Sequence, residues 1–314
     1  MIVQLAKWFQ KNDPGLLNPL EKFVAKSARY SNTHPIFIIS LPRSGSTLLY
    51  QCLTGLFCVK YISNFHYVFY RYPYLFRMIG ESFLKDYSTD FKSHRGFIQG
   101  LNGPAEANQF WNHWFGAFIE ETSPNANNRR LDYIIKYLAW LEDRCQVPFV
   151  SCWVGHSFYM AHLVKQFPNA FFILLIRDKL SIAYSLLKCR RQVYGNDSTW
   201  FSIRPTQCQS RLFETAHKQV AAQVFFAMRH IQKGIHQYER QSFVVSYKEL
   251  CHDPMMTLKN LQNRAAHQGI KLESRSEVEW PMAFTYSNVE PDMDKDTRAI
   301  SNAFDKLENE FDRE

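Results

Sequence analysis

One segment near the amino terminus constrains the fold of this chain more than any other. Residues 36–40 form a short, β-branched apolar run, residues 41–45 form a loop with proline and glycine, and residues 46–57 have a helical pattern. A strand that turns directly into a helix points free backbone N–H groups and the positive end of the helix dipole at one position. The sequence therefore predicts an anion-binding loop, of the kind that holds phosphate or sulfate.

This loop reads LPRSGST and only partly matches the triphosphatase loop G-x-x-x-x-G-K-S/T. Gly45 and Thr47 fit that pattern. Ser40 replaces the first glycine, and Ser46 replaces the lysine. Arg43 supplies a positive charge nearby, and its forked guanidinium can bridge two oxygens of one anion. Because the lysine and a clear acidic magnesium ligand are both missing, we expect a site that works without a metal.

Strand and helix patterns alternate along the rest of the chain. Further predicted strands cover residues 149–154, 171–176 and 242–247. Predicted helices cover residues 158–166, 179–191 and 210–238, and another begins at Pro254. Short buried strands alternating with helices are typical of a parallel sheet covered on both faces. The sequence therefore predicts an α/β fold, with a P-loop-like central parallel sheet flanked by helices.

We predict a single domain over residues 1–314, because nucleotide-binding α/β proteins commonly reach this length around one sheet. Residues 1–34 are expected to form an N-terminal helical segment. Residues 64–140 are rich in aromatic side chains and interrupted by proline and glycine, which indicates an inserted helical and aromatic layer over the sheet, where we expect the second ligand, the acceptor of the reaction implied below, to bind. Residues 289–314 begin acidic and become helical. We expect them to dock as a tail rather than to act as a lid.

The amino-acid composition says more about where the protein acts than about the reaction. Hydrophobic residues make up 46% of the chain, enough for a sizeable core, and the net charge of +8 favours anionic partners of any kind. The seven cysteines are scattered and never spaced C-x-x-C, a pattern typical of reduced thiols. No apolar run is long enough to span a bilayer. We therefore expect a cytoplasmic protein without stable membrane insertion, acting on small molecules rather than nucleic acid.

A second candidate anion site follows the predicted strand at residues 171–176. Arg177 stands at its carboxyl end, where ligands bind in open α/β sheets, and Ser185 lies two turns into the next helix. The motif PRSGST, followed by this Arg-Asp pair and serine, strongly resembles the sulfotransferases, which use 3′-phosphoadenosine 5′-phosphosulfate (PAPS) as donor. Residues 242–259 resemble a segment common late in that family, and residues 200–205, WFSIRP, are similar to a tract of its bacterial members.

The resemblance implies roles for individual residues around the donor. At the 5′-phosphosulfate it implies Arg43, Ser44, Gly45, Ser46 and Thr47, to which we add Leu48. At the 3′-phosphate it implies Arg177 and Ser185, and Tyr247 of the late segment completes the predicted donor site. The implied reaction moves a sulfuryl group to a hydroxyl acceptor, a carbohydrate or another small molecule.

The residue that takes the acceptor's proton is left open among three candidates. Glu106 precedes an aromatic helical stretch and resembles the P-x-E of bacterial sulfotransferases; it could also merely begin that helix. His156 resembles a histidine that follows K-x-P in many relatives, and His66 is a third candidate. This chain departs from the family there, since Cys152 stands at the lysine and Val154 at the proline. Stabilisation of the leaving group is therefore expected from Arg43 or from another residue such as Lys188.

Two other functions also fit the sequence. Because the lysine is missing at Cys152, the chain could bind the donor nucleotide without transferring sulfate. Because the loop overlaps partly with the triphosphatase pattern, the chain could instead be a metal-dependent nucleotide kinase.

Overall fold

The computed structural model of the protein describes residues 15–28, 33–93, 96–116, 128–210, 213–276 and 278–311. Within these residues, four parallel strands form one central sheet in the order β2-β1-β3-β4. The strands are β1 (Ile36–Ser40), β2 (Val150–Cys152), β3 (Phe171–Ile176) and β4 (Ser242–Ser246). Helices flank this sheet, so the predicted α/β architecture is confirmed.

The helices of the described residues alternate with these strands. They are α1 (Asn18–Ser27), α2 (Ser46–Leu56), α3 (Asn64–Val68), α4 (Pro73–Glu81), α5 (Asn108–Phe115), α6 (Asn128–Cys145), α7 (Met160–Gln166), α8 (Lys179–Tyr194), α9 (Thr206–Ser210), α10 (Ala216–Gln237), α11 (Tyr247–His252), α12 (Pro254–Ala266) and α13 (Lys295–Phe311). None of them is both long and apolar enough to cross a membrane.

Strand β1 lies at the centre of the sheet and positions the predicted anion loop. All five of its residues are buried, as expected for a strand paired on both sides and covered on both faces. Ser40, its last residue, lies beside Leu175 of β3. The segments that leave β1 and β3 therefore emerge next to each other at the carboxyl edge of the sheet. That edge is where open α/β sheets bind ligands.

The second predicted strand is shorter than the sequence indicates. Residues 149–154 were expected to be extended, but β2 ends at Cys152 and a 3₁₀ helix covers Val154–Phe158. Within this helix the Ser157 hydroxyl accepts the N–H of Ser40 at 3.0 Å and donates to the Ser40 carbonyl oxygen at 2.9 Å. The two hydrogen bonds hold the 3₁₀ turn against the end of β1, so the chain leaves the sheet early.

The aromatic stretch after β1 forms helices that pack over the sheet. The rings of Trp111, Phe110 and Tyr137 are fully buried, and Trp111 meets Phe37 of β1 edge to face, with ring centroids 5.9 Å apart. Such edge-to-face pairs are favourable beyond the area they bury. Most of the aromatic residues here therefore serve packing between the helical layer and the sheet.

Candidate active site

A cavity of about 680 Å³ opens at the carboxyl edge of the sheet. Its walls come from the loop after β1, the residue after β3, one face of α8, Glu106, and a segment before α13. These parts are far apart in sequence. We therefore describe the position of each predicted site residue relative to this cavity.

The loop after β1 has the tight backbone that an anion cradle requires. Arg43 has a positive φ of 67°, a conformation that non-glycine residues adopt mainly where the surrounding structure enforces it. Gly45 caps α2 with a φ of 97°, and a Cβ atom there would lie 2.4 Å from ring atoms of Tyr247. Only glycine fits between this ring and the first turn of α2.

The remaining loop residues divide into two groups. Ser46 and Thr47 line the cavity at the start of α2, where a helix leaves N–H groups without intrahelical acceptors. Leu48 also lines the cavity, but its N–H donates to the Gly45 carbonyl oxygen at 3.0 Å. Ser44 is fully buried, and its hydroxyl donates to the Leu41 carbonyl oxygen at 2.7 Å. The Ser44 side chain therefore braces the turn.

The two predicted anion sites are neighbours. Arg177 Nη1 donates to the Arg43 carbonyl oxygen at 2.9 Å, and Arg43 Nε donates to Ser185 Oγ at 3.1 Å. The Arg177 guanidinium lies over the Tyr247 ring, 4.5 Å from its centroid. Arg43, Arg177, Ser185 and Tyr247 all line the same cavity. The carboxyl ends of β1 and β3 thus bring both arginines to one wall.

One face of α8 contributes residues to the cavity wall that were not predicted from the sequence. Ser181, Tyr184, Ser185 and Lys188 have the spacing i, i+3, i+4 and i+7, which places them on one helical face, and all four line the cavity. The Lys188 amine lies 4.3 Å from the centroid of the Tyr184 ring. Sequence reasoning missed Ser181 and Tyr184, although their helical spacing relative to Ser185 carried the signal.

Residues 287–294, which we call the C-terminal strap, close one side of the cavity. The strap residues Ser287, Asn288, Val289 and Met293 line it, whereas the sequence favours a docked tail over a lid for residues 289–314. Ser287 accepts two hydrogen bonds from Arg177 Nη2, at 2.7 Å on its carbonyl oxygen and 2.8 Å on Oγ. Asn288 Oδ1 accepts the Ser181 hydroxyl at 2.9 Å, and Asp294 Oδ2 accepts the Tyr184 hydroxyl at 2.6 Å. The strap is thus bonded to the β3 end and to α8, while α13 beyond it packs on α8 and α10.

Among the described residues that line the cavity, Glu106 is the one with a carboxylate side chain. It precedes α5, which begins at Asn108 after Ala107 in a left-handed conformation, so Glu106 is not part of that helix. A Cβ atom on Gly96 would lie 4.0 Å from Glu106 Oε1 and 3.6 Å from Thr47 Oγ1. Gly96 thus lies close to both Glu106 and Thr47, so Glu106 is near the start of α2.

The surroundings of Glu106 favour its protonated form. Glu106 is exposed by its accessible surface, because the cavity in front of it is open, although protein atoms surround its carboxyl group on the other sides. Burial of the charge raises the pKa of Glu106 to about 7, and the positive charge of Arg43 opposes this shift. A carboxyl group with a pKa near neutrality suits proton transfer at physiological pH. Because the cavity is open to water, exclusion of water by bound ligands would strengthen the effect.

The structure places His156 and His66 outside this cavity. His156 is 1% exposed, its Nε2 lies 2.9 Å from Ser151 Oγ, and its ring centroid is 4.6 Å from that of Trp111. Burial lowers the pKa of His156 to about 3. Such a neutral, enclosed ring has a packing role. His66 lines a different pocket. Of the three candidate bases, Glu106 is the one that reaches the cavity.

Cys152 lies behind the loop and brings no positive charge to it. Its side chain is 2% exposed, and Sγ donates to the Ser46 carbonyl oxygen at 3.8 Å. Burial and the nearby Glu106 raise the pKa of this thiol, so it stays neutral. Among the described residues, the basic side chains on the cavity wall are Arg43, Arg177 and Lys188.

The fold is that of an α/β protein with a cavity at the carboxyl edge of a parallel sheet, beside the loop that joins β1 to α2. The chain belongs to the sulfotransferase family, because residues 35–268 match the model of that family. No curated protein matches the chain.

Several solved structures align with the chain at low identity. Sulfotransferase STF9 from Mycobacterium avium has 13% identity and a TM-score of 0.48, covering 97% of this chain and 72% of that chain. Sulfotransferase STF1 from Mycobacterium tuberculosis H37Rv has 13% identity and a TM-score of 0.45, covering 97% and 80%. A sulfotransferase from Alicyclobacillus acidocaldarius has 14% identity and a TM-score of 0.39, covering 90% and 98%.

Proposed function

We propose that this protein transfers a sulfuryl group from PAPS to a hydroxyl of an acceptor molecule by in-line displacement. The observation that carries the proposal is that a single cavity contains the anion loop, the Arg177–Ser185 pair and the carboxylate of Glu106. A donor nucleotide with one anionic group at each end needs two adjacent cationic sites. An acceptor hydroxyl needs a base at the far end of the transferring group.

The residues present fit such a donor. Arg177 has a buried Nε without a hydrogen-bond partner among the described residues, although its other nitrogens are bonded, so one strong donor is left for a ligand oxygen. Gly45 keeps the loop backbone open beside the Tyr247 ring. Arg43 with Ser46 and Thr47 would hold the 5′ end, and Arg177 with Ser185 the 3′-phosphate.

When bound, the donor supplies an activated sulfuryl group and a phosphate leaving group. Arg43 and the N–H groups at the start of α2 would stabilise the negative charge that develops on the leaving oxygen, as preorganised dipoles and cations do in other transfer reactions. Lys188, the other basic residue on the α8 face, would take over the role that the lysine at the Cys152 position has in many relatives. Cys152 itself cannot, because its buried thiol is neutral.

Glu106 would accept the acceptor's proton as the new oxygen–sulfur bond forms and the bond to the leaving phosphate oxygen breaks. With a pKa of about 7, a substantial fraction of this carboxyl is ionised and able to act as a base at neutral pH. The acceptor would enter on the side of Gly96 and Glu106, which belong to the inserted layer of residues 64–140, while Val154 and Phe201 add apolar surface to the cavity wall. A hydroxyl-bearing small molecule, carbohydrate or other, fits this mixed lining. The cytoplasmic location remains a prediction from the cysteine pattern.

Transfer of labelled sulfate from PAPS tests the proposal, using the purified protein, a panel of hydroxyl acceptors and no added metal. Arg43→Ala should abolish turnover, because the variant loses the loop's cation. Arg240→Ala, which removes an exposed arginine before β4 and outside the cavity, is the matched control and should keep full activity. Near-normal turnover in Arg43→Ala would contradict the assignment of the loop.

The neutral Cys152 supports a second candidate, a protein that binds the donor nucleotide without transferring sulfate. Tight binding of adenosine 3′,5′-bisphosphate with no transfer to any acceptor would favour this candidate. The nucleotide kinase alternative requires magnesium-dependent consumption of ATP, and the same protein preparation can be assayed for that activity.

A further inference from the structure

A second polar pocket lies away from the active-site cavity and shares none of its lining residues. It is formed by residues 59–63 together with α3 and α4, on the side where Lys60 pairs with Phe149 at the start of β2. Its volume is about 80 Å³. A single water needs only about 10–15 Å³, so this pocket has room for a small polyatomic ion.

His66 directs an unpaired nitrogen into this pocket. The ring is 6% exposed, and Nδ1 lies 2.6 Å from Ser63 Oγ. Ser63 Oγ already accepts the backbone N–H of His66, so its hydroxyl proton is best placed on Nδ1, which leaves the ring proton on Nε2. Nε2 is buried and has no partner among the described residues. Burial and the charges of Arg77 and Lys60 lower the pKa of His66, so the ring is a neutral donor.

Arg77 lines the same pocket and is 5% exposed. Its Nη2 donates to the Tyr61 carbonyl oxygen at 2.7 Å, and the guanidinium also lies beside the buried Tyr137 hydroxyl, but neither neighbour carries a negative charge. A buried guanidinium is normally paired with an anion, because removing its charge from water is costly. Lys60 adds a second positive charge to the wall. The pocket thus combines one unused N–H donor, His66 Nε2, with an excess of positive charge.

The acidic residues on the pocket wall do not neutralise this charge. Glu81 lies one helical turn from Arg77, but its carboxylate pairs with Arg144 Nε at 3.2 Å and approaches Cys145 Sγ at 4.0 Å. Asp86 is exposed to solvent at the outer part of the pocket. An external anion is therefore the missing partner of Arg77.

We infer that this pocket, formed by Lys60, His66 and Arg77, is a binding site for an oxyanion group, phosphate or sulfate. One oxygen would accept from His66 Nε2, while Arg77 and Lys60 on the pocket wall balance the negative charge. The pocket adjoins a cleft of about 1040 Å³ that shares Lys60, Tyr87 and Arg275 with it. The oxyanion can therefore be a free ion or the charged end of an organic molecule that lies in this cleft.

Titration of the ¹⁵N-histidine-labelled protein with inorganic phosphate, followed by NMR of the ring nitrogens, tests the inference. His66→Gln identifies the His66 signal by its loss. In the wild type, the His66 Nε2 resonance should shift and saturate as phosphate is added. Because this signal reports only on the second pocket, anion binding at the active-site loop is measured separately. The result is independent of whether the protein transfers sulfate.

Lys60→Met should weaken the phosphate affinity measured at His66 by about tenfold, because one charge-assisted contact is lost. Lys259→Met removes the same charge from the exposed surface of α12 and should leave that affinity unchanged. A His66 signal that does not move in the wild type, up to phosphate concentrations that saturate the active-site loop, would overturn the inference and indicate a water-filled pocket.

A second titration distinguishes the two sources of the oxyanion. Phenyl phosphate carries the same group on an organic body. If it binds at His66 about tenfold more tightly than inorganic phosphate, the adjoining cleft holds the body of an organic ligand. If the two bind equally, the site takes the free ion. If phenyl phosphate is excluded while phosphate binds, the free-ion form is likewise supported.

Discussion

At the scale of single residues, Glu106 and Arg43 act on each other across the active-site cavity. Burial raises the pKa of Glu106 to about 7 and Arg43 counteracts the rise, so the carboxyl titrates in the physiological range. A general base works only when deprotonated. We therefore expect kcat to increase with pH through about 7 and to level off above it, as measured in a pH profile at saturating donor and acceptor.

Replacement of the carboxylate should remove this dependence. In Glu106→Gln we expect kcat to fall by roughly 10² to 10⁴ with the step near pH 7 lost, because the amide cannot accept the proton. Binding of adenosine 3′,5′-bisphosphate should change little. Glu214→Gln, at an exposed carboxylate, is the control. An unchanged pH profile in Glu106→Gln would mean that another group takes the proton.

Arg177 gives a second prediction at this scale. Arg177→Met keeps an apolar stem against the Tyr247 ring but removes the guanidinium. We expect the affinity for adenosine 3′,5′-bisphosphate to fall by about tenfold or more, because a charge-assisted contact to the 3′-phosphate is lost. The affinity for adenosine 5′-phosphate should hardly change. Calorimetry of both ligands measures the difference.

Ser185→Ala tests the other side chain assigned to the 3′-phosphate. Ser185 Oγ accepts a hydrogen bond from Arg43 Nε, whereas Arg177 donates to the Arg43 carbonyl oxygen, so the two variants disturb the loop at different atoms. In Ser185→Ala we again expect a larger loss of affinity for the bisphosphate than for adenosine 5′-phosphate. The loss should be smaller than in Arg177→Met. Equal weakening of both nucleotides in both variants would contradict the assignment.

The sequence could place Arg43, Arg177 and Ser185 because their positions depend on local structure. Each follows a buried strand at a fixed distance, and parallel strands end at one edge of a sheet. The orientation of the His156 ring could not be predicted in this way. Whether its ring faces the cavity or the core depends on Trp111 and Phe37, which come from other parts of the chain.

At the scale of elements, the C-terminal strap closes one side of the cavity, and the hydrogen bond between Tyr184 and Asp294, 2.6 Å long, joins it to α8. In Tyr184→Phe we expect adenosine 3′,5′-bisphosphate to dissociate about tenfold faster, because a hydrogen bond to a carboxylate holds the strap down. Stopped-flow measurement of release tests this. Tyr194→Phe, on the same helix but outside the cavity, is the control. Equal release rates in all three proteins would show that the strap does not retain the ligand.

The position of the strap could not be predicted from the sequence. Its residues carry no periodic pattern, and its contacts with α8 join positions more than 100 residues apart. Strands β1 and β3, by contrast, are continuous apolar runs and were predicted with their observed bounds. The early end of β2 depends on Ser157 bonding to Ser40, again a contact between distant segments.

At the scale of the whole molecule, the carboxyl-terminal helix α13 completes the domain by packing on α8 and α10. Asp296 at its start joins both helices: it accepts hydrogen bonds from Arg191 of α8 and pairs with His217 Nε2 of α10 at 2.8 Å. The strap is continuous with this helix. The cavity wall therefore depends on how firmly α13 is docked.

Stability against acid should report on this docking. Arg191 and His217 hold the pKa of Asp296 well below its ordinary value of 3.8, so folding favours its ionised form. This contribution is present above about pH 4 and is lost as pH falls further. Asp296→Asn should lower the free energy of unfolding at pH 7 by roughly 1–3 kcal/mol, with a smaller difference from the wild type at pH 3. Urea unfolding at both pH values measures this, with Asp305→Asn on the exposed face of α13 as control. A difference that stayed constant with pH would mean that the carboxylate charge does not dock the helix.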